Sequence, residues 1–155
     1  MKRTVLVTCI GLFIGISSCD EEPLELFDNG LEFGHSYGEC IGAGCVVTYR
    51  LQSGKLYQID RPSYAGCDQN VQLSVLPDSS FVKAKILLTQ IPEQLWHEPT
   101  GNIGTPDAYD QGGIQISLSK DGEKRCWFID TNNQATPDYL HHFIDSVQEV
   151  IQELP

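Results

Sequence analysis

Residues 114–130 read IQISLSKDGEKRCWFID. Ile114, Ile116 and Leu118 alternate with polar residues, Asp121-Gly122 is a two-residue hairpin turn, and Arg125 to Asp130 resumes an extended, apolar run. With the turn at 121–122, Ile116 faces Trp127 and Ile114 faces Ile129, so the large apolar side chains share one face. Phe128 and Cys126 take the opposite face, which puts this strand inside a sheet. A slip of one residue would turn every apolar side chain to the wrong side, so this hairpin orients whatever pairs with it.

A second hairpin has the same form. Val46 to Gln52 (VVTYRLQ) and Lys55 to Asp60 (KLYQID) are rich in β-branched and aromatic residues, and Ser53-Gly54 separates them. Phe33 to Cys40 is a strand-like start broken by glycines, and Val71, Leu73 and Val75 predict a half-buried strand closed by Pro77. Asp78-Ser79-Ser80 predicts a helix start, its side-chain oxygens accepting first-turn amides. Phe81, Ala84, Leu87, Leu88 and Ile91 follow at helical spacing and Pro92 ends the run. Residues 93–113 read as irregular. Thr136-Pro137-Asp138 opens the last helix with Thr136 as N-cap. Its apolar stripe is Leu140, Phe143, Ile144, Val147, Val150, Ile151 and Leu154, and its outer face is Asp145, Gln148, Glu149, Gln152 and Glu153. These patterns predict one α+β domain over residues 31–155: a mainly antiparallel sheet of five or six strands with two helices packed on one face.

The length of 155 residues suits a single domain. With 21 acidic and 10 basic side chains the net charge is −11, which argues against a nucleic-acid partner, since phosphate binding needs a basic face.

The first residues read as an address. Lys2 and Arg3 precede an apolar run from Thr4 to Gly15, too short to span a bilayer, which takes about 20 residues. The run ends in Ile16-Ser17-Ser18-Cys19, which resembles the lipobox of bacterial lipoproteins: an aliphatic residue, two small ones, then the cysteine that receives the lipid. That resemblance implies a signal peptide over 1–18, a thioether-linked lipid on Cys19 and an acylated new amino terminus. Several acyl chains at about 0.8 kcal/mol per buried methylene make a stable anchor. Cleavage removes Lys2 and Arg3 and no acid, leaving 8 basic and 21 acidic side chains and a net −13. Residues 19–30 then form an acidic tether. Asp20-Glu21-Glu22 resembles a surface-export signal of some Gram-negative lipoproteins, while an Asp after the cysteine resembles an inner-membrane retention signal in others. The expectation is a membrane partner through the anchor, with outer membrane or cell surface ahead of inner membrane.

Cys9 leaves with the signal and Cys19 carries lipid, so Cys40, Cys45, Cys67 and Cys126 remain. In an exported chain an even count favours two disulfides over zinc. The expected pairs are Cys40–Cys45 and Cys67–Cys126. Continuing the register of the first hairpin gives the rival, Cys40–Cys67 with Cys45–Cys126.

Phe33 to Cys45 (FGHSYGECIGAGC), Gly104 to Gly113 (GTPDAYDQGG) and the helix after Trp127-Phe128-Ile129-Asp130 together resemble a family of small, uncharacterised bacterial envelope lipoproteins. In that pattern the later loop carries two cysteines around its Pro-Asp; here those positions are Thr105 and Ala108. The resemblance implies that Cys67 and Cys126 take their place. It brings a location and a fold, and no activity.

No motif for a serine hydrolase, zinc protease, dithiol or phosphate loop is present, so no catalytic set and no cofactor is assigned. His141 and His142 are adjacent on a helix and cannot face one ligand; His141 is placed to meet Asp145. His97-Glu98 falls in the irregular stretch. Asp107 and Asp110, before Gly112-Gly113, are the best candidate constellation: they suit calcium weakly and an Asx-turn better. Tyr37, Tyr49, Tyr57, Tyr64, Trp96 and Tyr109 would line a sugar or peptide groove, or belong to the sheet. The leading expectation is a non-catalytic envelope lipoprotein that binds a protein or glycan partner or supports an assembly. The alternatives are a small secreted hydrolase using loop carboxylates and an inhibitor or immunity-type lipoprotein.

Overall fold

Two hairpins, each closed by a turn with both residues at positive φ, lay out the sheet. In the computed structural model, which describes residues 30–40, 44–60 and 71–155, Ser53 and Gly54 stand at φ 49° and 71°, and Asp121 and Gly122 at 53° and 82°. Such turns match the right-handed twist of the strands they join. The strands are β1 (Leu31–Ser36), β2 (Val46–Gln52), β3 (Lys55–Asp60), β4 (Gln72–Val75), β5 (Gly101–Ile103), β6 (Gly113–Lys120) and β7 (Glu123–Ile129). Their spatial order is β4-β3-β2-β1-β6-β7-β5. β1 therefore joins the β2–β3 hairpin to the β6–β7 hairpin. All pairs are antiparallel except β5 with β7.

The register of β6 on β7 is the one the sequence predicts, with Ile116 opposite Trp127 and Ile114 opposite Ile129. These four, with Leu31 and Phe33 of β1 and Tyr49 and Leu51 of β2, form the sheet side of one core. Helices α1 (Asp78–Ala84), α2 (Leu87–Gln90) and α3 (Asp138–Glu153) cover it. Leu140, Phe143, Ile144, Val147 and Val150 of α3 are all buried, as its stripe predicts. The opposite sheet face is buried too, but mostly polar: Glu32, Ser36, Thr48, Gln115 and Ser117, beside Ile59, Cys126 and Phe128.

Seven strands replace the expected five or six. The extra one is β5, inside the stretch read as irregular; its three residues, with Ile103 alone buried, are too few to show alternation. The same stretch holds a 3-10 helix, Glu93–His97. β4 is an edge strand and not half-buried: Leu73 and Val75 pair with Ile59 and Tyr57, on the face away from the helices, and stay exposed. Alternation marks a face, but burial needs a cover.

The helix expected from 78 to 91 is broken after Ala84. Leu88 and Thr89 amides reach back only three residues, to Lys85 and Ile86 carbonyls, and this tighter turn buries Leu87 in line with Ala84. Neither Asp78-Ser79-Ser80 nor Thr136 caps a helix. Both helices instead start from a proline carbonyl, with Ser80 N–H on Pro77 O (2.9 Å) and Leu140 N–H on Pro137 O (3.0 Å). The Thr136 hydroxyl donates to Asn132 O. Asp78 and Asp138 in the first turns complement the helix dipoles. Among the described residues no helix is long and apolar enough to cross a bilayer. The leader, Cys19 and the tether before Gly30 lie outside the described residues, as do Tyr64 and Cys67.

Gly34, midway along β1, is where the sheet is tightest. A Cβ there would lie 2.0 Å from Val47 O and 2.7 Å from Thr48 Cα. Gly34→Ala should therefore cost about 3 kcal/mol, the upper end for overpacking. Val82→Ala, on an exposed helix position, should stay within about 0.5 kcal/mol of wild type. Urea midpoints read both; a Gly34→Ala midpoint equal to that of Val82→Ala would show that β1 has room to shift.

Candidate functional site

The loop from Gly104 to Gly112 coils sharply, with Gly104, Asp107, Asp110 and Gly112 all at positive φ. Aspartate tolerates this region because its short polar side chain bonds locally. Asp107 uses both carboxylate oxygens in this way. Oδ1 accepts the Gly112 amide at 2.9 Å and Oδ2 accepts the Gly38 amide at 2.8 Å, while Asp107 N–H donates to Gly112 O at 2.9 Å. One side chain thus closes its own loop and ties it to the connection between β1 and β2. This is the arrangement of a turn, with the carboxylate already engaged. Among the described residues no group of three or more His, Cys, Asp or Glu side chains is gathered as metal ligands.

The β1–β2 connection is fixed from its own side. Cys40 and Cys45 form a disulfide with Cα atoms 5.4 Å apart. This is the expected pair, and it overturns the rival Cys40–Cys67 with Cys45–Cys126. Cys126 is disulfide-bonded as well, to a partner outside the described residues. Tyr37 N–H donates to Cys45 O at 3.0 Å, and His35 Nε2 stands 3.2 Å from Gly44 O. The His35 and Tyr37 rings pack at 5.3 Å. Tyr37 also lies on Gly112, whose Cβ, if present, would fall 2.4 Å from the ring.

These pieces wall a cleft of about 330 Å³. His35 and Tyr37 form one side and Gln148, Ile151 and Gln152 of α3 the other; Gly113 and Ile114 lie between them, and Gln111 and Thr131 complete the lining. No carboxylate, lysine or arginine is among the lining side chains. Gln111 is partly engaged: its Oε1 accepts Tyr109 N–H at 2.7 Å and its Nε2 donates to Thr105 O.

Asp130 sits just behind, buried at the end of β7. Its carboxylate accepts Thr105 N–H (3.0 Å), the Thr105 hydroxyl (3.1 Å) and Asn132 N–H (2.8 Å). Burial pushes its pKa up, but the bonds from Asn132, Thr105 and Gln111 together hold it below the ordinary value of 3.8. Glu32, on the polar face of β1, follows the same logic. Burial raises its pKa, and the hydrogen bonds and charges of Lys124 (3.0 Å) and Arg50 (3.0 Å from Nε) carry it below 4.5. Two larger hollows among the described residues, about 580 and 360 Å³, flank Leu88 and are mainly apolar. They carry few polar groups that would orient a ligand.

Of the candidates read from sequence, Tyr37 and the Asp107 loop meet at this cleft. Asp110 and Tyr109 are exposed on the loop's outer side. Tyr49 is core, Tyr57 lies on the opposite sheet face, and Trp96 packs on Trp127 with Arg125 against both rings. His141 meets Thr136 O at 3.1 Å and not Asp145; His142 lies near Gln90, and His97 is exposed. Glu98 accepts the Tyr139 hydroxyl at 2.7 Å; burial, then this carboxylate, push the Tyr139 pKa up. The sequence reading missed Gln148 and Gln152, taking them for a solvated helix face. Their one signal is a neutral Gln-x-x-x-Gln pair set among Asp145, Glu149 and Glu153.

No protein-family model matches the chain, and no curated protein matches it.

Asp107→Ala should lower stability by about 1–2 kcal/mol, the cost of two orphaned amides. Gly113→Ala, whose methyl would meet the Phe128 ring at 2.6 Å, should cost about 1–3 kcal/mol. Calcium should leave the wild-type melting temperature unchanged; a rise in wild type that Asp107→Ala lacks would make the loop a metal site.

Glu32 and Asp130 have depressed pKa values in the folded chain, so the unfolded chain binds more protons in acid. Their contribution is complete above their ordinary values of 4.5 and 3.8 and is lost as pH falls through and below them. The urea midpoint should be level from neutrality to about pH 5 and fall beneath it. Glu32→Gln and Asp130→Asn should each flatten that fall while lowering the plateau. An unchanged acid slope in both variants would refute the assignment.

Proposed function

We propose that the chain is a lipid-anchored bacterial envelope protein whose domain binds a partner through the cleft between β1 and α3, without transforming it. The observation that carries this reading is the polarity of β1. The tether joins its Leu31 end, and the cleft is built at the other end, on His35 and beyond it Tyr37. Six extended residues separate the two by about 20 Å. A tether of twelve residues from Cys19 to Leu31 adds about 40 Å of reach when extended. The cleft lies at the end of β1 opposite the one the tether enters, which supports access for a partner in the envelope or at the cell surface.

The residues beside the cleft support binding over hydrolysis. Hydrolysis by paired carboxylates needs one acid to protonate the leaving group and one base or nucleophile with free oxygens. Asp107 and Asp130, which hold the loops beside the cleft, have their oxygens engaged by backbone amides. The anchor rests on Ile16-Ser17-Ser18-Cys19 behind a basic, apolar leader. The acidic stretch Asp20-Glu21-Glu22 favours the outer membrane or cell surface over the inner membrane.

Metabolic labelling with a palmitate analogue should mark the wild-type protein and leave Cys19→Ala unmarked. Label that persists in Cys19→Ala removes the anchor and with it this function.

A further inference from the structure

We infer that the ligand of this cleft is a neutral saccharide. The inference rests on the reading of the cleft as the binding site and names the chemistry that fits it.

The lining offers three kinds of contact. Tyr37 is 40% exposed, yet its ring is held by His35 on one side and by the bare backbone of Gly112 on another. A fixed, half-open aromatic ring is a stacking platform that loses little entropy on binding, and a sugar ring presents an apolar C–H face to it. Ile151 adds apolar surface opposite. The lining also holds side chains that both donate and accept: the amides of Gln148 and Gln152 and the hydroxyl of Thr131. Among the described residues none of these three has a hydrogen-bond partner. A carboxamide gives a donor and an acceptor from one planar group, which is what a pair of neighbouring sugar hydroxyls requires.

Charge and topology argue against other ligands. No arginine or lysine lines the cleft to pair with an anionic ligand, and no carboxylate lines it for a cation. An extended peptide binds best by adding to a free strand edge. β1 offers none, since β2 and β6 pair with it on both sides along its whole length. The volume of about 330 Å³ lies at the lower end of the range for small-molecule sites, roughly 300–1,000 Å³. The walls are set before binding by the Cys40–Cys45 disulfide and by Asp107, which joins the two loops that shape them.

The test uses the full lipidated chain in a zwitterionic detergent without a sugar headgroup. Maltotriose and the trimer of N-acetylglucosamine serve as neutral probes and a trimer of galacturonate as the anionic one, read by calorimetry and by saturation transfer to the sugar protons. At least one neutral trimer should bind saturably and more tightly than the galacturonate trimer. Tyr37→Ala should weaken it on the order of tenfold, Tyr37→Phe should restore most of that loss, and Gln152→Ala should weaken it about threefold. Val82→Ala, on α1 away from the cleft, should bind as wild type does. Because Gln152 is exposed on α3, its variant reports on the cleft even if Tyr37→Ala disturbs the loop. Absence of binding by both neutral trimers at about 10 mM, or tighter binding of the galacturonate trimer, overturns the inference. So does binding that Gln152→Ala and Tyr37→Ala leave intact. A photo-crosslinking residue at Asp145, one turn from Gln148, is run in parallel in intact envelopes. If no trimer binds and the crosslinker captures a protein, the saccharide falls while the binding domain stands; if neither occurs, both fall.

Discussion

The structure depends on one strand lying between two hairpins. β2–β3 and β6–β7 are each held by their own turn, but neither can bury its apolar face alone, because a two-stranded ribbon is at best marginally stable in water. β1 pairs with both and makes them one sheet. Its residues divide accordingly. Leu31 and Phe33 enter the helix-covered core, whereas Glu32, opposite Arg50 of β2, lies on the polar face. Gly34 has no side chain because the backbone of β2 leaves no room for one.

The same strand connects the core to the cleft. Beyond Ser36 the chain turns through Tyr37 and Gly38, and the Gly38 amide ends on the Asp107 carboxylate from the other half of the molecule. That carboxylate also closes its own loop, immediately before β6 begins. The position of Tyr37 over Gly112 therefore follows from the pairing of β1 with β6, in which Ser36 stands opposite Gly113. The site is an extension of sheet register and needs no flexible element to form. Its chemistry is unlike that of the chain as a whole. A protein of net charge −11 gathers amides, a hydroxyl and aromatic rings here, and two carboxylates nearby, Asp107 and Asp130, are held by backbone donors.

Glu32 shows how the second sheet face tolerates burial. An ionised carboxylate is costly to bury unless paired and hydrogen-bonded. Arg50 comes from the neighbouring strand and Lys124 from β7, two strands away, reaching past β6. The network crosses four strands, β2, β1, β6 and β7, and so marks their order as well as stabilising the charge.

What was legible in the sequence was local. Ser53-Gly54 and Asp121-Gly122 announce hairpins because only a few residue types accept positive φ at both turn positions, and alternation then fixes the register of Ile116 on Trp127. The 3.6-residue spacing from Leu140 to Val150 identifies α3 and its buried stripe for the same reason. The Cys40–Cys45 pair was legible because its loop is short and rich in glycine. The lipobox-like Ile16-Ser17-Ser18-Cys19 is a property of sequence alone. Tertiary structure decided what depends on distant neighbours. β5 exists because β7 offers an edge to three residues with little pattern of their own. β4 is exposed because the helices cover the other face. The helix after Pro77 breaks where a tighter turn brings Leu87 into the core beside Ala84. Gln148 and Gln152 become part of a cleft only because α3 packs over β1 and sets them across from Tyr37. A sequence pattern records which side of an element is apolar; which polar residues meet across a gap is decided only when the elements dock.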